Sequence, residues 1–239
     1  MNDDAPVRRR AEDGAGAEAP ARPVVLAAPS GTGKTTMARR LVEGSREFVF
    51  SVSATTRPPR QGERNGMDYE FVDEPAFRRM IEAGELVEWA EVHGHLYGTP
   101  RDNLERAAER GERVVLDIDV QGARQIRERV PDALLIFVLP PTAAALVARL
   151  SGRGTEARAE MLRRLRNARE ELLSARDFDH AVVNEELQAA VDAVRRLVRG
   201  QTPPERVAPA DVDREVERLR AEIDDILAGA LVESLPPTD

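Results

Sequence analysis

Cysteine is absent from this chain, and lysine occurs only once, at Lys34. Without cysteine there can be no disulfides and no thiolate-bound zinc, and a reducing compartment is favoured, so the expected location is cytoplasmic. With one lysine, the other 34 fixed positive side chains are all arginine. Aromatic residues make up 4% of the sequence, with a single Trp and two Tyr, so a core must come from Leu, Val, Ile and Ala. No apolar run approaches the ~20 residues of a membrane helix, so no membrane association is expected. Arg8-Arg9-Arg10 is not followed by the apolar segment of a signal peptide, which argues against a twin-arginine leader. Ala, Gly, Glu and Pro dominate the stretch that follows, and residues 1–22 are expected to form a disordered arm.

What is present describes a globular protein of one or two domains: 239 residues, 41% hydrophobic and 33% charged. The net charge of −8 is unevenly spread, with −6 in residues 200–239 and only −1 in residues 23–199. The central arginines are therefore free to form local positive sites, while bulk nucleic-acid binding is not indicated.

From Val24 onward, short apolar runs alternate with helical patterns, which predicts an α/β fold with a parallel sheet flanked by helices. Strands are expected at Val24–Ala28, Phe48–Ser53, Val114–Asp119, Leu134–Leu139 and His180–Val183. Helices are expected at Gly33–Glu43, from Asp73 or Glu74 to Gly84, and at Asp102–Arg110, Gln121–Arg129, Ala143–Leu150, Ala157–Ala175 and Glu186–Val198. Residues 54–100 break the rhythm, being dense in Arg, Gly, Pro and Tyr, and read as an inserted, largely antiparallel subdomain. After Gly200, Gln-Thr-Pro-Pro reads as a linker to an acidic amphipathic helix. Its Val212, Val216, Leu219, Ile223, Ile226 and Ala230 are spaced four and three apart. Two readings stand for that stripe: a short coiled coil pairing two copies of the chain, or packing against its own domain.

The lone lysine sits in Ala28-Pro29-Ser30-Gly31-Thr32-Gly33-Lys34-Thr35, directly after an apolar strand and before a helix. The segment fits the phosphate-binding pattern G-x-x-x-x-G-K-[ST], except that Ala28 replaces the first glycine. Gly31 and Gly33 let backbone amides point inward, Lys34 supplies a compact charge, and Thr35 offers a hydroxyl to Mg²⁺. The helix that follows adds its positive N-terminal end. A second constellation runs from Ser51-Val52-Ser53 through Arg57-Pro58-Pro59-Arg60 to Asp68-Tyr69. Two arginines three apart can present two forks to one phosphate dianion, although an Arg-Pro loop alone is also a common solvated turn.

Together with Glu85–Val92, Tyr97-Gly98-Thr99, Leu116–Gly122 and Arg149–Thr155, these blocks resemble guanylate kinases, in that family's order and over about residues 23–198. The resemblance implies a P-loop NTPase-type sheet over 23–199, a mixed-β GMP-binding insertion at about 54–100 and a helical lid at about 149–165. It implies transfer of the ATP γ-phosphoryl group to GMP, and to dGMP, with Mg²⁺ accompanying ATP.

The same resemblance assigns Ala28 through Thr36 and Asn184 to ATP. It assigns Arg57, Arg60, Tyr69 and Tyr97 to the GMP phosphate, and Glu88, Ser53, Thr99 and Asp119 to guanine. Thr35, with Asp117 through water, falls to the metal. Lys34, Arg57, Arg149, Arg153 and Arg164 are the cations expected to act on the phosphates in transit. A carboxylate at Glu88 suits guanine, whose N1 carries a proton where adenine has a lone pair. A core strand ending in Asp117 and Asp119 also argues for use of both acids, against solvated or helix-capping roles.

The chain departs from the family at Leu96, where a tyrosine is usual, and in its two terminal extensions. His93 and His95 alternate without a third ligand, so they are not expected to bind metal. Two rivals remain: a catalytically silent interaction module, which typically lacks the P-loop lysine or lid arginines, and a P-loop kinase acting on another small molecule. The retained cations oppose the first, and Glu88 with Ser53 and Thr99 opposes the second.

Overall fold

The computed structural model describes residues 21–92, 94–151 and 158–232. Residues 1–20, His93, residues 152–157 with Arg153 among them, and residues 233–239 lie outside them, so the expected disordered arm and much of the expected lid fall outside the described residues.

Ten strands form two sheets. The larger has the order β10-β9-β8-β1-β7-β2, from Arg206–Val207, His180–Val183, Leu134–Leu139, Val24–Ala27, Arg113–Asp117 and Phe48–Phe50. All its pairs are parallel except β9 with β10. The central strands β1 and β8 are buried along their whole length, as strands covered on both faces must be. One face packs α1 (Lys34–Val42) and α7 (Leu187–Val198) through Met37, Leu41, Val191 and Val194. The other packs α4 (Val120–Arg129), α5 (Ala143–Ser151) and α6 (Arg158–Glu171) through residues such as Ile126, Leu146 and Leu165.

The inserted segment forms a second sheet of order β4-β3-β6-β5, from Glu70–Phe71, Ala54–Thr55, His95–Pro100 and Leu86–Val92. Only β3 with β4 is parallel. Its core is small, with α2 (Glu74–Glu82) closing Phe77 over Ala54 and Leu86. Asp73 caps α2 by accepting from Ala76 N–H at 2.7 Å. The exposed edge of β5 is covered by α4: the Gln125 side-chain amide donates to Trp89 O at 2.6 Å and accepts from Trp89 N–H at 3.3 Å. Gln125 thus supplies the two bonds a neighbouring strand would make, fixing the second sheet against the first.

After Gly200 one feature differs from the sequence expectation and another decides between its two readings. The Gln-Thr-Pro-Pro stretch leads into β10, which adds an antiparallel edge to the main sheet. Two prolines hide so short a strand from any periodicity. The final helix α8 (Val212–Val232) packs Val216, Leu219 and Ile223 fully into the main core. Among the described side chains its stripe is used by its own domain, the second of the two readings. Glu222 on α8 also accepts from Ala143 N–H at 2.8 Å, capping the start of α5.

Candidate functional site

The cleft opens at the C-terminal ends of β1, β7 and β2, where an open parallel sheet places its ligands. It has two chambers. One, of about 250 Å³, is lined by Ala28 through Thr35, with Glu88, Asp117, Asp119 and Glu171. The other, of about 290 Å³, is lined by Thr35, Thr36, Arg39, Arg57, Arg60 and Glu63 among others. Ser53, Tyr69, Tyr97 and Asp117 border both. Of the expected site residues, Ala28 through Thr36, Ser53, Arg57, Arg60, Tyr69, Glu88, Tyr97, Asp117 and Asp119 line it. Thr99, Arg149, Arg164 and Asn184 do not, and are joined to lining residues by hydrogen bonds to Glu88, Thr32 and Ser30, while Arg153 lies outside the described residues.

The P-loop turns because Gly31 and Gly33 adopt φ of 90° and 91°, which an L side chain rarely accepts. Gly33 is also the left-handed N-cap of α1, and a Cβ there would approach Asn184 Nδ2 to 3.0 Å. Inside the loop Thr32 donates to Pro29 O through both N–H and hydroxyl. Lys34 Nζ sits 2.7 Å from Asp117 Oδ1 and also donates to Ile118 O, so β7 holds it across the cleft floor.

Asn184, just past β9, is 3% exposed and donates to Thr32 O at 2.8 Å. Its Oδ1 has no partner among the described residues. A buried acceptor left unpaired among the described residues is suited to an incoming donor. Arg149, on α5, donates to Thr32 O at 2.9 Å and Asn184 O at 2.8 Å, bracketing the P-loop against the end of β9. Two of its donors thus serve backbone carbonyls.

At the other end of the cleft, Glu88 is 3% exposed on β5, and Thr99 on the paired strand β6 donates to its Oε1 at 2.6 Å. The single hydroxyl proton of Thr99 is thereby committed to Glu88. Gly122 on α4 makes room for this carboxylate: a Cβ there would fall 2.5 Å from Glu88 Oε2. Burial pushes the Glu88 pKa up to about 7; the Thr99 bond works against this, Asp119 adds to it, and Lys34 opposes it. Asp119 is the N-cap of α4, accepting from Gly122 N–H at 2.8 Å. The capping role that sequence reasoning set aside is therefore real, although Asp119 also lines the chamber.

In the second chamber Arg57 is 9% exposed and lies over the Tyr69 ring, 5.2 Å from its centroid. It donates to Pro58 O at 2.7 Å and Glu63 Oε1 at 2.9 Å. Burial alone would lower the Arg57 pKa, but the Glu63 bond and Tyr97 hold it above its ordinary value. Burial likewise would raise Glu63, and its bonds from Arg57 and Arg60 N–H hold it below the usual carboxylate range. Tyr69 is pushed up to about 12, first by burial and then by Asp117, so its phenol stays a donor at neutral pH. The side chain of Arg60 is exposed.

Four participants escaped the sequence reading. Glu63 lay in plain view inside the arginine loop, where an acid six residues after Arg57 was a usable signal. Arg39 reaches from α1 to Asp68 Oδ1 at 3.0 Å and lies over Phe50, 4.1 Å from its centroid. The space-making Gly122 and the acid Glu171, which accepts from Ser30 N–H, gave no sequence signal. Among the described residues no group of three or more His, Cys, Asp or Glu side chains could cage a metal.

Comparison with known proteins places these features in a family. The family model described as guanylate kinase matches residues 20–201. The chain is 46% identical to a guanylate kinase of Oleidesulfovibrio alaskensis over 197 residues, covering 82% of this chain and 96% of the relative. It is 44% identical to a guanylate kinase of Chelativorans over 215 residues, covering 88% and 91%. The crystal structure of guanylate kinase from Anaplasma phagocytophilum superposes with a TM-score of 0.63 at 34% identity, covering 80% of this chain and 92% of that one.

Proposed function

We propose how the reaction is divided among the residues of this chain, which belongs to the guanylate kinase family and transfers the γ-phosphoryl group of ATP to GMP in purine nucleotide metabolism. The observation that carries the assignment is the buried carboxylate of Glu88 facing the P-loop across one cleft. In its ionised form it accepts from guanine N1–H and the exocyclic amine, and Thr99 holds it in place. Ser53 donates to O6, and Asp119 supports the guanine side through the first turn of α4.

The phosphate of GMP takes the second chamber. Arg57 has N–H groups left after Pro58 and Glu63 are served, and Arg60, Tyr69 and Tyr97 complete the donors to a dianion. None of these contacts uses the ribose 2′-hydroxyl, so dGMP is included.

ATP takes residues 28–36, its phosphates against the loop amides and Lys34. Asn184 Oδ1, unpaired, is the acceptor for the adenine amine. Arg164 reaches the loop through Ser30, and Arg149 holds its frame. Mg²⁺ fits the donor set, because it keeps most of its waters and needs few protein oxygens. Thr35 and, through water, Asp117 would hold it, where it neutralises phosphate charge.

The attacking oxygen of GMP is already anionic, so no strong general base is required. This chain's work is to align the two phosphates in line and to surround them with fixed cations. The cysteine-free composition supports action in the cytoplasm.

A coupled ADP-release assay with GMP, dGMP, AMP, CMP and UMP tests the assignment. Turnover confined to GMP and dGMP is expected; AMP turned over as fast as GMP would remove Glu88 from its role.

A further inference from the structure

Glu171 is the last residue of α6, and its carboxylate faces the P-loop: Oε2 accepts from Ser30 N–H at 3.2 Å. Two turns earlier on the same helix, Arg164 Nη2 donates to Ser30 Oγ at 2.9 Å. One helix therefore grips both the amide and the hydroxyl of a single loop residue. Ser30 needs such a hold, because it enters a turn whose Gly31 and Gly33 have left-handed backbones and little rigidity of their own. Within the loop, Thr32 is the residue that bonds back, to Pro29 O.

A carboxylate is costly in this position. It is partly buried in the chamber with Lys34 and Asp119, in a helical stretch that continues through Leu172–Asp177. Burial raises its proton affinity; the Ser30 bond and Lys34 counter that, and Asp119 reinforces it. An acid kept at such a place, bonded to the loop that receives the triphosphate, has a use there.

We propose that Glu171 is a positioning residue of the ATP half of the site, acting through Ser30 to hold the mouth of the P-loop in its receptive shape. The inference rests on the reading of residues 28–36 as the ATP site and adds a residue from a separate helix to it.

Steady-state kinetics of Glu171→Ala, Glu171→Gln and Glu171→Asp, with ATP and GMP varied in turn, test it. Glu171→Ala should raise the KM for ATP roughly tenfold, the size of a lost charge-assisted hydrogen bond, with the KM for GMP unchanged. Glu171→Gln keeps an acceptor oxygen at the same reach and should stay within about threefold of the parent. A KM for GMP that rises as much as that for ATP, or a Gln variant as impaired as Ala, overturns the proposal. Should Glu171→Ala fold poorly, Glu171→Asp, one methylene too short to reach Ser30, must show an ATP-selective rise; a parental KM for ATP in that variant also overturns it. Saturable ATP kinetics in the parent, with every variant unmoved, would reject the role of Glu171 and leave the ATP-site reading standing.

Discussion

Lys34 Nζ lies 2.7 Å from Asp117 Oδ1, so the only lysine in the chain is held by the acid that ends β7. The pair is largely shielded, with side-chain exposures of 18% and 7%. Each charge thereby has a partner of opposite sign within the protein. In the proposed role, a bound triphosphate would offer the ammonium a second set of anions, and the interaction would grow as charge develops on the phosphoryl group in transit.

Removing the ammonium should therefore act mainly on the chemical step. Lys34→Ala is expected to lower kcat by about 10²–10³, the range for losing one preorganised donor to developing charge. The KM for ATP should change far less. A variant that loses only ATP affinity, at unchanged kcat, would mean that Lys34 binds the ground state and the transition state equally.

The Glu88 pKa of about 7 makes guanine recognition pH-dependent. The carboxylate must be ionised to accept from guanine, and burial keeps part of the population protonated near neutrality. GMP affinity should therefore rise with pH, by roughly tenfold between pH 6 and 8. The sign for the free protein is opposite: the raised folded-state pKa contributes stability at low pH that is lost as pH rises through about 7. Calorimetric titration of GMP across this range checks the first statement. The substrate phosphate also titrates near pH 6, so Glu88→Gln is the control, and its profile should be flatter than the parent's.

Gly122 tests the geometry of the guanine end without touching a polar group. A Cβ at 2.5 Å from Glu88 Oε2 forces the carboxylate away from its bond with Thr99. Gly122→Ala should raise the KM for GMP by about tenfold or more and leave the KM for ATP unchanged. An unchanged KM for GMP would show that the carboxylate can shift at no cost to binding.

The C-terminal helix makes a stability prediction. Leu219 is fully buried between α8 and the main core, so Leu219→Ala should cost about 2–5 kcal/mol in urea unfolding. A loss below about 1 kcal/mol would show that α8 contributes little to the core.

The parts of this fold that repeat were legible in the sequence. Fully apolar β1 and β8, the glycines around Lys34 and the caps Asp73 and Glu186 each announce their element through local chemistry. Of the residues expected to carry charge toward substrate, Asp117 ends β7 and Arg57 stands in a loop, whereas Glu88 lies inside β5 and was singled out only by the resemblance to a family. What stayed hidden depends on distant partners. Glu171 is one acid in an Arg- and Glu-rich helix until α6 is laid against Ser30, 141 residues away in sequence. Arg39 looks like solvent-facing charge until Asp68 folds over it. The apolar stripe of α8 fitted two partners equally, and only packing showed which one buries it.

If Glu88 makes this phosphate-binding loop guanine-selective, the ratio of kcat/KM for GMP to that for AMP depends on its carboxylate. Parent and Glu88→Gln should be compared at pH 8, where the carboxylate is ionised. The ratio is expected to fall by at least about 10²-fold in Glu88→Gln, chiefly through the KM for GMP. A ratio that survives the substitution unchanged would remove Glu88 from guanine recognition.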